Sequence, residues 1–583
     1  MEEQVKKIPY VVAKFEEVRI ENFYYVDKTM YLPQMEDVGD YLFLIRPRRF
    51  GKSLFVSMLR AYYDIAAADR FDRLFGGLWI HEHPTPLRNS FQVIYFDFSL
   101  IGTGKGTDDL ERNFNSYCGI ALDTFAETYA KYYDESFVSE VKSMVTARDK
   151  LNYINLHAAK RGYPLYLIVD EYDNFTNAVL SDSGIDMFRN LTHSSGFFRE
   201  YFKIFKAMFS RTFLIGVSPV TLDDLSSGYN IDWNISQDPR FNHMLGFTET
   251  DVEVMFRYYK EHGKLRPDAD IEAMTAEMQP WYNNYCFSRE CLGDDRLYNC
   301  DMVFYYLNHQ IAFGRPPGEM LDKNIRTDIR KVWMLADIID RGSRREDRMS
   351  VIEEIAAKGG ITMKLRSSFP AEYITEDENF RSLLYYYGLL TMDREVFGEL
   401  RMVIPNNCVQ EQYWTFMRDY YRRSADMDTI KLSEDFYHLA ADGEWRPLVE
   451  RIAASYREVS SVRDASRREH DLQGFFKAYL ALSPLYLVRP EIELNYGYGD
   501  LLLLPDKARY PEVAHSYVIE LKYLKAGATD TDVARAEREA GEQLRRYAAD
   551  RALQRLIADT TLHLITIVFR GPEMIVCTEL SAS

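Results

Sequence analysis

Cysteine is scarce in this sequence, with six residues in a chain of 583. Disulfide-stabilised secreted domains use far more cysteine for their size, so the scarcity argues against that class. Cys286, Cys291 and Cys300 lie close to His309 in the sequence, but no C-x-x-C pair occurs. Two interpretations are open, a zinc site and buried free thiols, and the aromatic neighbours favour buried thiols.

Long apolar runs and excess positive charge are also lacking. No run approaches the roughly 20 apolar residues that a membrane helix needs, and the N-terminus has no apolar core of signal-peptide length. We therefore expect a cytoplasmic chain that does not enter a membrane. The net charge of -18 argues against a surface coated for nucleic acid. A local basic groove stays compatible with it, because charge acts within about 10 Å at ordinary salt.

Internal repeats and low-complexity segments are absent too, and the chain is rich in the residues that fill protein cores. Apolar runs predict buried strands over 41–47, 91–99, 165–173 and 212–218, separated by helical patterns such as 53–64. Continuous apolar strands of this kind are typical of a parallel sheet covered on both faces. The first part of the chain is therefore predicted to be an α/β domain.

The character of the sequence changes near residue 247 and again near 466. The middle is mostly helical, but 382–406 reads as a helix followed by a two-stranded hairpin, an order that resembles a winged-helix unit. Such a unit binds DNA in some proteins and packs as a spacer in others, and we favour the spacer. The last part returns to mixed α/β. We predict an α/β multidomain chain with domains at 1–246, 247–330, 331–465 and 466–583.

The stretch RPRRFGKS (46–53) carries the end of a phosphate-binding loop without its first glycine. The motif G-x-x-x-x-G-K-[ST] requires glycine where Arg46 stands, but the strand before the loop and the helix after it fit the motif. Lys52 would contact the β- and γ-phosphates of ATP, and Ser53 would ligate Mg²⁺. The other residues of the loop that we expect at the nucleotide are Arg48, Arg49, Phe50 and Gly51.

Two further strand ends carry polar residues. LYLIVDEYD ends an apolar strand with Asp170, which would hold Mg²⁺, and Glu171, which would polarise the attacking water. The alternative is an acidic turn after a core strand. Ser218 ends TFLIGVS, where it would sense the γ-phosphate or only cap the strand.

Several segments around these motifs resemble one bacterial family across nearly the whole chain. They are KIPYVVAKFEEVRIENFYYVDKT, YLFLIRPRRFGKSLFVSML, LYLIVDEYDNF, FLIGVSPVTLDDLSSGYNI and FNHMLGFTETDV. The family is the AAA-ATPase-like proteins with a C-terminal nuclease-like domain of the PD-(D/E)XK group. The resemblance implies a P-loop ATPase core of the AAA-like type at about 8–245, a helical lid after it, and a restriction-endonuclease-like domain at the C-terminus.

Other positions follow the family less closely. WYNNYCFS (281–288) is similar to the family's WYNGYRFS, with Asn284 in place of glycine and Cys286 in place of a basic residue. Arg240 is a candidate for stabilising charge on the γ-phosphate, in cis or from a neighbouring copy in a homo-oligomer. We favour an ordinary salt-bridged arginine there. Asp27 and Lys28 match the family, but no role follows from their chemistry.

The C-terminal region holds a second constellation, Asp500 followed by Glu520-x-Lys522. Alternation along the strand YVIELKYL puts Glu520 and Lys522 on one face, where Asp500 and Glu520 would share Mg²⁺ or Mn²⁺. Lys522 would orient a water or stabilise charge on a phosphate, as metal-assisted phosphodiester hydrolysis requires. Glu-x-Lys alone is common on exposed strands, but charges in an apolar strand are costly unless they are paired or bind metal.

Residues around this constellation have weaker claims. Gln543 and Tyr547 lie one turn apart on the next helix and resemble a Q-x-x-x-Y pattern of the same superfamily. Glu469 or Asp471 would add an acidic ligand, although we prefer a solvated helix charge for both. A stripe of arginines would track a phosphate backbone or form a solvated face paired with glutamates: Arg535, Arg538, Arg545, Arg546, Arg551 and Arg555.

The two predicted sites give one leading hypothesis and two rivals. The leading hypothesis is an ATPase coupled to a metal-dependent nuclease that acts on nucleic acid. The first rival is a nucleotide-dependent switch whose C-terminal domain binds nucleic acid or a protein without cleaving. The second is a scaffold in which both sites have decayed, and the retained site residues argue against it.

Overall fold

The structure is a computed structural model. It describes the residues 4–104, 106–179, 187, 197–219, 233–322, 345–370, 373, 376–422, 429–461, 469–483, 485–494, 497–507, 510–557 and 559–580. The predicted domain boundaries at 330 and 465 lie outside these ranges.

The described strands are numbered in chain order. They are β1 (Tyr41–Ile45), β2 (Gln92–Asp97), β3 (Leu165–Asp170), β4 (Arg211–Gly216), β5 (Trp233–Asn234), β6 (Gly360–Met363), β7 (Thr391–Val396), β8 (Glu399–Val403), β9 (Tyr486–Leu494), β10 (Gly497–Pro505), β11 (His515–Leu524), β12 (Thr561–Arg570) and β13 (Glu573–Leu580).

The helices are numbered in the same way. They are α1 (Phe15–Ile20), α2 (Tyr31–Val38), α3 (Lys52–Tyr63), α4 (Phe71–Phe75), α5 (Trp79–Glu82), α6 (Thr107–Thr128), α7 (Phe137–Ser143), α8 (Ala147–Arg161), α9 (Phe197–Met208), α10 (Glu249–Glu261), α11 (Ile271–Tyr282), α12 (Cys300–Phe313), α13 (Arg345–Lys358), α14 (Asp377–Tyr386), α15 (Asn407–Arg422), α16 (Thr429–Ala441), α17 (Arg446–Ser461), α18 (Glu469–Leu480), α19 (Asp530–Ala548) and α20 (Arg551–Leu556). Within the described ranges, none of the helices has the length and apolar character needed to cross a bilayer.

The chain forms two compact units. The first unit contains Met1–Ser343 and Met363–Asn406, and the second contains Arg344–Thr362 and Asn407–Ser583. The segment that we predicted as one middle region therefore contributes to both units. The division into four domains stays a prediction.

The first unit is built on a five-stranded parallel sheet in the order β2-β3-β4-β1-β5. The predicted parallel α/β fold is confirmed, and four of its strands come from the apolar runs. Every residue of β3 and β4 is buried, which explains why these strands read as continuous apolar runs rather than alternating ones. Because the strands are parallel, the carboxyl ends of β1, β2 and β3 meet at one edge of the sheet.

Helix α3 carries the end of the phosphate loop back over the sheet. Gly51 precedes it with a left-handed φ of 83°, and Lys52 is its first residue. Phe55, Met58 and Leu59 are buried beneath it, as a helix that packs one face on a sheet requires. The helix is therefore anchored by its apolar face while its N-terminus stays at the edge where the strands end.

The helix and hairpin predicted over 382–406 are present as α14, β7 and β8, and they lie in the first unit. Seven of the ten residues of α14 are buried. The hydroxyl of Tyr385 donates to the carbonyl of Phe287 at 3.3 Å, and Gly388 lies against Pro47 of the phosphate loop. A helix buried to this extent supports the loop, which favours the spacer interpretation over a DNA-reading helix.

The second unit contains a five-stranded mixed sheet in the order β13-β12-β11-β10-β9. Strands β11 and β12 are parallel, and the other neighbouring pairs are antiparallel. Helix α19 packs against β11 and β12. The core between helix and sheet is formed by Leu502, Leu504, Val518, Leu544, Tyr547, Leu553, Ile557 and Leu564.

Candidate functional site

A cavity of about 360 Å³ opens at the edge where β1, β2 and β3 end. Its walls come from the phosphate loop, the ends of β2 and β3, the start of α12 and an N-terminal segment. The lining residues are Val11, Val12, Ala13, Arg48, Arg49, Gly51, Lys52, Ser53, Leu54, Asp97, Ser99, Glu171, Asn174 and Asp301. Five of the residues predicted at the nucleotide, together with Glu171, are thus brought to one cavity.

The loop itself has the backbone of an anion-binding turn. Arg49 and Gly51 both have positive φ, at 69° and 83°. Left-handed residues in such loops turn backbone N–H groups towards a common centre, and the N-terminus of α3 adds its dipole there. Phe50 points away from this centre, since its ring packs edge-on against Tyr285 and Phe287 at centroid distances of 4.9 and 5.4 Å.

Lys52 is almost fully buried, and its ammonium group donates to the carbonyl of Pro47 at 3.0 Å. Burial lowers the pKa of Lys52, while the nearby carboxylates of Glu171 and Asp170 oppose the shift. The ammonium group is thus placed between the loop and the acidic end of β3, where the phosphates of a nucleotide would lie.

Asp170 and Ser53 meet at the end of β3. The hydroxyl of Ser53 donates a hydrogen bond to the carboxylate of Asp170. Burial raises the pKa of Asp170 to about 7, and the negative charge of Glu171 adds to the effect. A hydroxyl and a carboxylate in contact beside a lysine are hard oxygen ligands suited to Mg²⁺, which would replace the proton that burial favours.

Glu171 occupies a strained backbone position with φ of 52°. Its carboxylate accepts from the side-chain amide of Asn174 at 2.9 Å, and both residues line the cavity. Non-glycine residues in this region of φ and ψ persist where the surrounding structure requires them, often at functional sites. The turn aims Glu171 into the cavity while Asp170 stays buried behind it.

Arg46, which stands in place of the missing glycine, does not line the cavity. Its guanidinium is buried and donates to the carbonyls of Ile45, Ser236 and Phe241 at 2.9, 2.7 and 2.9 Å. The group also lies over the ring of Phe287, at 4.2 Å from the centroid. Burial lowers the pKa of Arg46 to about 10. This arginine therefore holds the base of the loop in place and leaves the phosphate side to Arg48 and Arg49.

Asp173 is a structural residue of the site that sequence reasoning missed. Its buried carboxylate accepts from the backbone N–H groups of Val217 and Ser218 at 3.1 and 2.8 Å. Burial raises its pKa to about 6. Gly216 fits here because a β-carbon would lie 2.3 Å from the Asp173 carboxylate. Asp173 follows the Asp-Glu pair by only two residues, and its partners Val217 and Ser218 lie more than 40 residues away, so no local pattern sets it apart.

Asp97 is a second residue that the sequence analysis missed. It ends β2, pairs in register with Asp170, and lines the cavity together with Ser99. Its carboxylate accepts from the N–H group and the hydroxyl of Ser99 at 3.0 and 2.6 Å. The available signal was its position, an aspartate at the end of a buried strand next to β3.

Ser218 and Arg240 lie outside the residues that line this cavity. Ser218 is fully buried, and its hydroxyl is hydrogen-bonded to Tyr387. Arg240 forms a two-pronged ion pair with Asp238, with a closest distance of 2.6 Å, as the salt-bridge interpretation expects. A phosphate-sensing role for either residue stays a prediction.

Asp27 and Lys28 acquire structural roles. The carboxylate of Asp27 accepts from Thr29 and from the N–H group of Trp79 at 2.6 Å, which ties the segment before α2 to the start of α5. Lys28 donates to Asp251 at 2.9 Å. Asp251 in turn completes the capping box of α10 with Thr248, so Lys28 joins the N-terminal segment to that helix.

In the second unit, Asp500 connects two elements of the predicted nuclease site. One carboxylate oxygen accepts from the side-chain amide of Gln473 on α18 at 2.8 Å. The other accepts from the N–H group of Leu521 on β11 at 2.9 Å. Gln473 was not predicted, although it lies just beyond Asp471 on the helix that we expected near the site.

Glu520 and Lys522 lie together on β11, as the alternation predicted. The ammonium group of Lys522 is 2.8 Å from Oε1 of Glu520, whose side chain is 1% exposed. Within the described ranges, Oε2 of Glu520 is buried without a hydrogen-bond partner. Burial raises the pKa of Glu520 to about 7, the charge of Asp500 adds to the rise, and Lys522 opposes it. The buried acid is thus satisfied on one side only.

The supporting residues divide into two kinds. Tyr547 is 2% exposed and belongs to the core under α19. Gln543 has a buried side-chain oxygen without a hydrogen-bond partner among the described residues. The hydroxyl of Thr566 is also buried without one, and Thr566 pairs with Glu520 in register. Polar oxygens left unsatisfied on adjacent elements call for a ligand or a water.

The remaining candidates give little further support. Asp471 lies on α18, and the side chain of Glu469 lies outside the described part of the chain. The six arginines of 533–555 are all exposed, and Arg535 pairs with Asp532 at 2.7 Å.

The cysteines are free thiols, and five of the six are buried. The thiol of Cys286 donates to the carbonyl of Ser288 at 3.2 Å, and that of Cys291 donates to the carbonyl of Pro239 at 3.7 Å. This confirms the buried-thiol interpretation of these two residues. Within the described ranges, no group of three or more His, Cys, Asp or Glu residues is arranged to hold a metal ion.

Comparison with protein families identifies a domain in each unit. A model described as predicted AAA-ATPase matches residues 9–226, and a model of the PD-(D/E)XK nuclease superfamily matches residues 467–579. The chain therefore carries an AAA-ATPase-like domain followed by a nuclease-superfamily domain, as the resemblance implied.

Two individual proteins show a low sequence identity to this chain. A protein of Azotobacter chroococcum mcd 1, described as an uncharacterized protein in the vnfD 5' region, is 29% identical over 300 residues. That match spans 49% of this chain and 50% of the relative, about half of each. A solved structure of the Aeropyrum pernix ORC2 protein in ADPNP-ADP complexes shows 11% identity, covers 69% of this chain and 98% of that one, and has a TM-score of 0.30.

Proposed function

We propose that this chain, which joins an AAA-ATPase-like domain to a nuclease-superfamily domain, hydrolyses ATP in its first unit and cleaves nucleic acid in its second. Each site supports the proposal by its own chemistry. The single observation that carries the cleavage half is the buried Oε2 of Glu520, which lacks a hydrogen-bond partner among the described residues although the same carboxylate pairs with Lys522 on its other side.

At the first site, the chain supplies the groups that phosphoryl transfer needs. Lys52 and the backbone N–H groups of the loop would hold the phosphates, and Ser53 with Asp170 would hold Mg²⁺. Glu171 would orient the attacking water, since its carboxylate is held by Asn174 and faces the cavity. The raised pKa of Asp170 means that its proton must leave before a cation binds, so nucleotide binding with Mg²⁺ would strengthen as pH rises towards 7.

At the second site, the residues fit a divalent cation. Glu520 and Asp500 offer carboxylate oxygens, and Glu520 has one buried oxygen that its protein neighbours leave unsatisfied. Mg²⁺ or Mn²⁺, when bound there, would activate water and neutralise charge on the scissile phosphate. Gln473 and the N–H group of Leu521 hold Asp500 in a fixed orientation. Lys522 favours the ionised form of Glu520 against the effect of burial, and it presents a positive charge on the same face of the strand.

The full chain should therefore show two separable activities. We expect the full chain to hydrolyse ATP with Mg²⁺. Lys52→Ala should lose hydrolysis, and Glu171→Gln should lose hydrolysis but still bind ATP. We also expect cleavage of labelled DNA or RNA with Mg²⁺ or Mn²⁺ that is lost in Glu520→Gln. Lys525→Ala provides a control, because Lys525 is exposed at the end of the same strand. Equal ATP hydrolysis by wild type and Lys52→Ala, or no hydrolysis by wild type, would refute the first activity, and metal-independent or absent cleavage would refute the second.

A nucleotide-dependent switch without cleavage is the second candidate. It is favoured by one observation, that both oxygens of the Asp500 carboxylate already accept hydrogen bonds from the protein. In that case the second unit would bind nucleic acid or a protein partner in an ATP-dependent manner. Slow ATP hydrolysis and ATP-dependent binding, with no cleavage in either metal, would support the switch.

A further inference from the structure

Arg49 and Asp301 form an ion pair inside the cavity of the first unit. Nη1 of Arg49 lies 3.2 Å from Oδ2 of Asp301, and the two side chains are 26% and 20% exposed. Both residues line the cavity together with Lys52 and Ser53. A guanidinium beside the phosphate-binding residues is therefore held by a carboxylate from another element.

The backbone of Arg49 is strained in a way that fixes the direction of its side chain. Its φ is 69°, a left-handed value that is unfavourable for a residue other than glycine. Glycine would avoid this cost at the same position. Strained backbone at a ligand site is kept where the side chain it places has a task.

Asp301 connects this pair to helix α12. It lies in the first turn of α12, whose N-cap is Asn299. The side chain of Asn299 accepts from the N–H group of Met302 and donates to the carbonyl of Arg48, both at 3.4 Å. The start of α12 is thus attached to the phosphate loop at two adjacent points, so a change at Arg49 acts directly on the helix.

A bound triphosphate would change the balance of this ion pair. Arginine binds phosphate through parallel hydrogen bonds, and a triphosphate carries several negative charges where Asp301 carries one. The same charges would repel the Asp301 carboxylate on the cavity wall. Phosphate would therefore attract Arg49 and repel Asp301, and both effects weaken the ion pair.

Resting on the proposed nucleotide binding, we propose that Arg49 exchanges Asp301 for the terminal phosphate of a bound nucleoside triphosphate. The exchange loosens the attachment of α12 to the loop. A nucleoside diphosphate, which lacks the terminal phosphate, leaves the Arg49–Asp301 pair in place. The start of α12 therefore distinguishes the triphosphate from the diphosphate state.

The test measures amide hydrogen exchange over 300–313 in the full chain with Mg²⁺, using a non-hydrolysable ATP analogue and ADP. In wild type, the analogue should raise exchange at the start of α12, whereas ADP should not. Arg49→Gln should bind the analogue about tenfold more weakly and lose this response, since it loses a charged hydrogen bond to phosphate. Asp301→Asn should show raised exchange without nucleotide and bind the analogue a few-fold more tightly, an effect of the size of a partly exposed ion pair.

Arg257→Gln is the matched control, because it breaks an exposed ion pair with Glu253, at 3.1 Å on α10, outside the cavity. It should leave both responses unchanged. Equal exchange with the analogue and ADP, or a response retained in Arg49→Gln, would overturn the exchange while leaving nucleotide binding intact. Absence of binding by wild type would overturn both proposals. If Arg49→Gln fails to fold, Asp301→Asn alone decides, since unchanged exchange and affinity in that variant would refute the inference.

Discussion

The ammonium group of Lys522 lies 2.8 Å from Oε1 of Glu520, two residues earlier on the same strand. From Tyr517 to Leu524 the other side chains of the strand are apolar or tyrosine, and Glu520 is nearly fully buried. A buried carboxylate beside a lysine is a costly arrangement that folding alone does not favour. The first unit repeats it with Asp170 near Lys52, where burial likewise raises the carboxyl pKa to about 7. Both units thus hold an acid that a cation would keep ionised.

Replacing Lys522 with alanine should abolish cleavage without unfolding the second unit. The lysine is partly buried, and Glu520, which loses the partner that opposes its raised pKa, can take up a proton instead of remaining an unpaired buried charge. We expect cleavage of a labelled oligonucleotide with Mn²⁺ to fall by about 100-fold or more, as for other groups that stabilise developing charge. Lys525→Ala should cleave like wild type. A Lys522→Ala variant that retains full activity would remove Lys522 from the mechanism.

Glu520→Gln should change stability in a pH-dependent way. The folded-state pKa of Glu520 is raised from 4.5 to about 7, so between these values the native state holds a proton that the unfolded chain has lost. Stability contributed by this group therefore falls as pH rises through that window. Glutamine cannot ionise, so the variant should gain stability over wild type at pH 8 by no more than about 3 kcal/mol. The difference should disappear near pH 4.5.

The thermal midpoint of the full chain, followed from pH 4.5 to 8, measures this effect. Glu512→Gln is the control, because Glu512 is exposed in the same unit and should give parallel curves. Mn²⁺ at pH 8 should raise the midpoint of wild type and leave Glu520→Gln unchanged, since a ligand stabilises only the state that binds it. If the midpoint of Glu520→Gln differs from that of wild type by the same amount at every pH, the pKa of Glu520 is not raised in the folded state.

The positions of β1, β2, β3 and β4 were predictable because buried parallel strands leave continuous apolar runs in the sequence. The loop residues Lys52 and Ser53 were predictable because their context of strand and helix is local in the sequence. Arg46 was not, because a charged residue in a loop is usually exposed, and its three carbonyl partners lie up to 195 residues away. Such contacts depend on the tertiary fold and leave no local pattern.

The nuclease-like site shows the same limit. The placement of Glu520 and Lys522 together was predictable from strand alternation, and Asp500 was predicted beside them from the pattern D-x(n)-E-x-K. Gln473 was missed because an amide on an amphipathic helix carries no signal of its own. Its contact with Asp500 spans 27 residues and depends on how α18 packs against the sheet. Residues that hold a candidate catalytic group in place are therefore harder to predict than the group itself.

The arginines of RPRRFGKS should separate into structural and binding roles. Arg46→Met keeps the volume but leaves the carbonyls of Ile45, Ser236 and Phe241 without their donor. We expect the free energy of unfolding to fall by about 3 kcal/mol or more, because buried carbonyls are costly to leave unpaired. Arg48→Ala removes a side chain that lines the cavity, so it should weaken ATP binding with little change in stability.

Urea unfolding and ATP titration of both variants in the full chain check these expectations. The expected result is a large shift of the unfolding midpoint for Arg46→Met and none for Arg48→Ala. The reverse pattern, stable Arg46→Met with lost ATP binding, would place Arg46 at the nucleotide instead.

Gly216→Ala should destabilise the first unit from the end of β4. A β-carbon there would lie 2.3 Å from Oδ1 of Asp173 and equally close to the ring of Tyr172, and both of these side chains are buried. Overpacking in a buried site costs about 1 to 3 kcal/mol. The displaced Asp173 would also lose its bonds to Val217 and Ser218, and the carbonyl of Gly216 accepts from the N–H group of Arg46 at 3.1 Å.

Because the carbonyl of Gly216 is hydrogen-bonded to Arg46 at the base of the phosphate loop, a displacement of Gly216 should alter the nucleotide cavity. We expect Gly216→Ala to lower both the thermal midpoint and the affinity for ATP in the full chain. Gly39→Ala is the matched control, since a β-carbon there meets nothing within 4 Å and Gly39 lies two residues before β1 in the same unit. Wild-type ATP affinity in Gly216→Ala, alongside a lowered midpoint, would show that the loop is insulated from the end of β4.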